Sequence, residues 1–170
     1  MTRLQDYIKS PLAVVCHDAG AANLIVEWLK DYSGELRVCM EGPARVIWRK
    51  HFPDKKLIPI NRVIKGSNTL LSGTGWADLE HSARIDAKIR GIKSIAVIDH
   101  WAKYRERFIR DGSEVLPDVI IVTDKYAFRL AKDLFPSILV IELPNNYLQE
   151  ESKLAISERL RQCRTPIENI

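Results

Sequence analysis

"LAVVCHDAGAANLIVEWL", Leu12–Leu29, joins two apolar segments of different period across His17-Asp18-Ala19-Gly20. Leu12–Cys16 is apolar at every position and of strand length, as expected of a strand in a parallel sheet covered by helices on both faces. Beyond the seam, Ala21, Leu24, Ile25, Trp28, Leu29 and Tyr32 recur at helical spacing. The seam is therefore read as a strand-to-helix turn. It carries a His and an Asp, both costly to bury, at a place where α/β proteins put chemistry.

The same alternation extends along the chain. Strand-like runs occupy Leu12–Cys16, Leu36–Met40, Lys56–Ile60, Thr69–Leu71, Ser94–Ile98, Val119–Thr123 and Ile138–Ile141. Helical patterns follow most of them. "PARVIWRKHF" opens on Pro43, a residue suited to a first helical turn. "WADLEHSARIDAKIRG" stops at Gly91, and "KYAFRLAKDLF" is ended by Pro136. "NNYLQEESKLAISERLRQ" is a polar C-terminal helix. Seven strands alternating with helices predict one α/β domain over residues 1–170, doubly wound and Rossmann-like, with a mainly parallel sheet between two helical layers.

Composition narrows the function classes. The 170 residues are 46% hydrophobic and 28% charged, with a formal net charge of +4, ordinary for a globular chain. That charge permits an anionic ligand, but no long Lys/Arg run points to nucleic acid. Cys16, Cys39 and Cys163 form no paired spacing, and Cys16 and Cys39 fall in core strands, so a reduced, cytoplasmic chain is expected. His17, His51, His81 and His100 are dispersed, so neither a metal nor another cofactor is implied. "MTRLQDYIKS" is too polar for a signal sequence, and no apolar stretch reaches the roughly 20 residues that span a bilayer.

In an open parallel sheet, ligands bind beyond the carboxyl ends of the strands. Those ends read His17-Asp18, Glu41-Gly42, Ser72-Gly73-Thr74-Gly75, Asp99-His100-Trp101, Thr123-Asp124 and Pro144-Asn145-Asn146-Tyr147. The amino ends are plainer. Helix capping accounts equally for Asp124 and Asn145, whereas His is a poor cap. "SGTGWADLE" offers small residues and free amides ahead of a helix, a place for phosphate or carboxylate, though it is neither a Walker A loop nor a dinucleotide fingerprint. "IDHWAKYRERFIRDG" interleaves Lys103, Arg105, Arg107 and Arg110 with Trp101, Tyr104 and Phe108. It reads as an amphipathic helix with the three aromatic residues on its core face, or as a basic lip for an anion.

The His after the first strand, the "SGTGW" turn and the "ELPNNYLQE" crossover resemble the N-terminal half of GT-B glycosyltransferases and the related sugar-nucleotide 2-epimerases and hydrolases. "GTGWADLEHSARIDAKIRGIKSIAVIDHWAKYRERF" is similar to bacterial surface-polysaccharide biosynthesis proteins. In such enzymes the N-terminal domain receives the acceptor and a second Rossmann domain grips the nucleotide sugar. The resemblance implies a sugar or sugar-phosphate acceptor, with His17 as general base oriented by Asp99 or by Asp18. Gly20, Asn23, Gly73, Thr74, Gly75, His100, Arg105 and Asn145 are the candidate substrate-binding residues.

The chain stops after one such unit, so a nucleotide-binding partner domain or subunit is expected. Peripheral association with a membrane surface is compatible with the acceptor class. Two other readings stay open: a stand-alone, non-catalytic binding module for a small anionic metabolite, and a compact hydrolase using His17 and Asp18.

Overall fold

The apolar runs in the middle of the sheet become strands because each buries both faces. The structure, a computed structural model, describes residues 2–162; Cys163 lies outside them. Strand β1 (Leu12–Cys16) is buried at all five positions. Leu12, Val14 and Cys16 pack on one face with Leu24, Ile25, Ala44 and Trp48. Ala13 and Val15 pack on the other with Val63, Leu79, Ala83 and Ala87. That period of two, satisfied on both sides, explains a strand apolar at every residue.

The chain continues through α1 (Ala19–Leu29), β2 (Leu36–Met40), α2 (Gly42–His51), the single turn α3 (Ile60–Val63), β3 (Thr69–Ser72), α4 (Asp78–Ile89) and β4 (Lys93–Val97). A short hairpin, β5 (Ile109–Arg110) with β6 (Ser113–Glu114), precedes β7 (Val119–Val122), α5 (Lys125–Leu134), β8 (Leu139–Glu142) and α6 (Asn146–Gln162). The main sheet runs β2-β1-β3-β4-β7-β8, and every neighbouring pair is parallel. Register places Val14 beside Val38 on one side and Leu71 on the other. Helices cover both faces, so the fold is the expected doubly wound, Rossmann-like α/β arrangement.

Two expectations are corrected. The sheet has six strands, not seven. Within Lys56–Ile60, Leu57 alone bridges Val38, and the Ile58 N–H donates to the Val38 carbonyl at 2.8 Å. Lys55 and Lys56 are exposed, and Pro59 has no N–H to extend a ladder and instead caps α3. Ile58 and Ile60 were apolar for another reason: they pack against the core under α3 and α4.

The segment from Trp101 to Arg110 is not a helix. Lys103 takes φ 55, which ends any helical path. The chain then makes a 3-10 turn at Glu106–Phe108 and enters the β5–β6 hairpin, turned at Asp111-Gly112, both with positive φ. Asp-Gly is a strong two-residue hairpin signal, and here it outweighs the helical spacing of the aromatic residues. Tyr104 and Phe108 are buried, but Trp101 faces solvent.

The capping readings agree with the geometry. Asp124 accepts from the Ala127 N–H at 2.8 Å, and the Asn145 side-chain oxygen accepts from the Leu148 N–H at 3.0 Å. No helix among the described residues is long and apolar enough to cross a membrane.

Candidate functional site

After β1 the chain turns to β2 on one side, then returns to β3 on the other. Connections leaving β1 and β3 therefore diverge, opening a crevice beyond their carboxyl ends. His17 and Asp18 leave β1 there, Gly73–Trp76 leaves β3, and Asp99 follows β4 as the next strand over.

His17 is held from three directions. Its backbone N–H donates to Glu80 Oε1 at 2.8 Å. Its Nδ1 lies 2.8 Å from Asp18 Oδ1. Its ring lies over Gly42, where a Cβ would come within 2.6 Å of Nε2 and where φ is +48, so only glycine fits without strain or collision. The side chain remains about a third exposed, 32%. With Nδ1 occupied by the carboxylate, Nε2 is the nitrogen left for a ligand.

Of the two carboxylates that could orient His17, Asp18 is the one in contact. Asp99 serves another place. A Cβ on Gly20, in the first turn of α1, would stand 1.8 Å from Asp99 Oδ2. A negative group at that helix end is favourable, and Asp99 Oδ1 also lies 3.5 Å from the Arg107 guanidinium. Gly75 likewise leaves room for Asp18, whose Oδ2 lies 2.4 Å from the position of an added Cβ. The small residues of the two turns thus clear space for acidic side chains, and the anion slot at the start of α1 is filled from within the protein.

The Gly-rich turn is clasped by arginines. Arg84 donates to the Gly73 carbonyl at 3.1 Å, Arg107 to that of Thr74 at 3.1 Å, and Arg110 to that of Gly75 at 2.8 Å. Arg84 also reaches the Ser72 hydroxyl at 3.3 Å and the Arg107 carbonyl at 3.4 Å, and lies over the Phe108 ring. The Thr74 hydroxyl donates to the Val97 carbonyl at 2.8 Å, tying the turn to β4.

Burial sets the titration behaviour beneath the turn. It pushes the Glu80 carboxyl up from the usual carboxylate range, and the nearby Asp18 adds to this, while the His17 N–H opposes it. The Cys16 thiol is raised well above its ordinary value, first by burial and then by Glu80. Burial lowers Arg84 to about 10. Burial, then the charges of Arg84 and Arg110, lower His81. Among the described residues no His, Cys, Asp and Glu side chains gather as metal ligands would.

No family model, curated protein or solved structure matches the chain.

His17, Asp18, Gly20, Gly73, Thr74, Gly75 and Asp99 come together at the crevice. His100 lies next to it, lining a cleft with Trp76, Ala102, Lys103 and Arg107. Three candidates lie elsewhere. Asn23, on the outer side of α1, lines a groove shared with Lys50 and His51 of α2 and Tyr147 of α6. Asn145 is at the same sheet edge but follows β8, three strands from β3, or about 14 Å, and it caps α6. Arg105 pairs with Glu114 across the hairpin at 2.8 Å instead of reaching the turn.

Sequence reasoning missed Glu80, Arg84 and Trp76. A signal existed for the first two. They stand four apart on α4, next to Leu79 and Ala83 on its buried side, where a charged residue requires a reason.

Proposed function

We propose that this chain is the acceptor-side half of a GT-B-like glycosyltransferase or sugar-nucleotide-processing enzyme of surface polysaccharide biosynthesis. His17 is its general base. The observation that carries this reading is the 2.8 Å contact of His17 Nδ1 with Asp18 at the β1/β3 crevice, which leaves Nε2 for a hydroxyl proton. Asp18 holds the proton on Nδ1 and stabilises the imidazolium that forms. As the acceptor oxygen attacks the anomeric carbon of the donor, the hydroxyl proton passes to Nε2 and the bond to the nucleotide diphosphate breaks.

The crevice suits a polyol. Asp18 and Asp99 supply hydroxyl acceptors, and the half-exposed Trp76 offers an apolar face at its margin. The second reading, a binding module for a small anionic metabolite, draws on the arginine clasp beside the same crevice. Turnover separates the two.

In this division of labour the nucleotide-gripping surface belongs to a partner domain or subunit. The chain alone should bind nucleotide sugars only at about millimolar concentration or weaker, as read by titration calorimetry. Sugar transfer should appear when a nucleotide-binding Rossmann protein encoded beside this one is added. Micromolar affinity of the chain alone for a nucleotide sugar contradicts the assignment.

A further inference from the structure

Beside the His17 crevice is a cleft of about 290 Å³, lined by Trp76, His100, Ala102, Lys103 and Arg107. Three cations surround its one indole. Lys103 Nζ lies 5.6 Å from the Trp76 ring centroid, the Arg107 guanidinium 5.8 Å and the Arg110 guanidinium 5.7 Å. Like charges gathered around one ring repel, and Arg107 is only 7% exposed.

Two of these cations are paired at long range, Arg107 with Asp99 at 3.5 Å and Arg110 with Asp78 at 3.4 Å, whereas Lys103 meets the indole face and no carboxylate among the described residues. Arg107 donates to the carbonyls of Ala102 and Thr74, which satisfy N–H groups but carry no net charge. Its nearest carboxylate, Asp99, stands at 3.5 Å and also faces the start of α1. Arg110 donates to the Gly75 carbonyl, and its carboxylate partner, Asp78, is 87% exposed and 3.4 Å away. Lys103 is aimed over the indole from a left-handed backbone position that a lysine rarely adopts.

The cleft and the crevice meet at adjacent residues of the Gly-rich turn. The Asp18 carboxylate abuts Gly75, and Trp76 is the next residue. One side of Gly75 is thus acidic and carries the imidazole, while the other is cationic and aromatic.

We propose that the cleft takes a phosphate group carried by the sugar whose hydroxyl faces His17, so that the acceptor is a phosphorylated sugar and not a neutral one. Assigning the phosphate to the acceptor rests on the function proposed above; the anion site rests on the cleft alone. Lys103, Arg107 and His100 then supply charge-assisted donors, and Trp76 lies under the bridge between phosphate and ring. The phosphate could belong to a soluble sugar phosphate or to a lipid-borne one, and the two sources present the same group to the cleft.

The test is calorimetric titration of the whole chain with glucose 1-phosphate and with glucose, together with co-sedimentation on phosphatidylcholine vesicles with and without phosphatidylinositol. Glucose 1-phosphate should bind at least about tenfold tighter than glucose, and its affinity should fall as salt is raised. Lys103→Gln should lower the phosphate affinity about tenfold. Arg107 is buried and its loss threatens folding, so His100→Ala is the second variant, with the same expected direction. Retention on phosphatidylinositol vesicles that Lys103→Gln abolishes, without binding of glucose 1-phosphate, identifies a lipid-borne source. Binding of the soluble sugar phosphate alone identifies a free one. Equal affinity for glucose and glucose 1-phosphate with no vesicle binding overturns the proposal, as does phosphate affinity unchanged in folded Lys103→Gln and His100→Ala. The separate claim about His17 is read from transfer: His17→Gln should stop transfer while glucose 1-phosphate still binds, so each claim fails on its own measurement.

Discussion

His17→Gln should lower sugar transfer by about 10²–10⁴-fold, the usual contribution of a general base, while shifting the melting temperature by no more than about 2 °C. The expectation follows from exposure and contacts. The imidazole is a third exposed, and its strongest side-chain contact is with Asp18, to which a glutamine amide can also donate. The backbone N–H that binds Glu80 is unaffected by the change. Kinetics would be measured with the nucleotide-binding partner present and melting with the chain alone. The competing account makes His17 a stabiliser of the turn. It predicts a loss of about 1–3 kcal/mol in stability with turnover undiminished.

Arg84→Ala should be the most damaging single change to stability, at about 3–5 kcal/mol, or roughly 10 °C in melting temperature for a domain of this size. Arg84 is 1% exposed and among the largest fully buried side chains. Its removal orphans the Ser72 hydroxyl and the carbonyls of Gly73 and Arg107, and opens a cavity beneath Phe108. The Gly-rich turn would lose the first of its three clasps. Arg105→Ala is the control. Arg105 is exposed and pairs with Glu114, and such surface pairs contribute at most about 1 kcal/mol. Equal melting temperatures for the two variants would show that the clasp does not hold the turn.

These two residues also show where the sequence was legible. His17 stood out because two apolar periods meet at it, and because a buried parallel strand and an amphipathic helix differ in spacing even in a single sequence. The placement of His17, Gly73, Asp99 and Asn145 at one sheet edge followed from parallel strands alone. Which carboxylate meets the imidazole did not follow. Asp18 is adjacent in sequence, and its contact depends on the extended backbone at the turn, φ −88 and ψ 151. Asp99 arrives from another strand and is drawn to the start of α1.

The misreadings have physical causes too. Trp101, Tyr104 and Phe108 are spaced like a helix face, but spacing does not report that Lys103 turns left-handed or that Asp111-Gly112 closes a hairpin. Leu57 and Ile58 are apolar because they pack against the core clusters on opposite faces of the sheet, and a run ended by proline contributes only one bridge to it. Arg84 escaped notice because its long apolar stem lets it lie on a buried helix face. Two of its three partners are backbone carbonyls, which leave no mark in the sequence.

The central claim is that Asp18 fixes the proton of His17 on Nδ1 and leaves Nε2, which lies over Gly42, as the base. Nitrogen NMR of the imidazoles, with His17 assigned by its absence from the His17→Gln spectrum, reads this without knowledge of the acceptor. In its neutral form, His17 should be the Nδ1–H tautomer with Nε2 unprotonated, and Asp18→Asn should erode that preference. A His17 protonated on Nε2, or a tautomer indifferent to Asp18→Asn, contradicts the account.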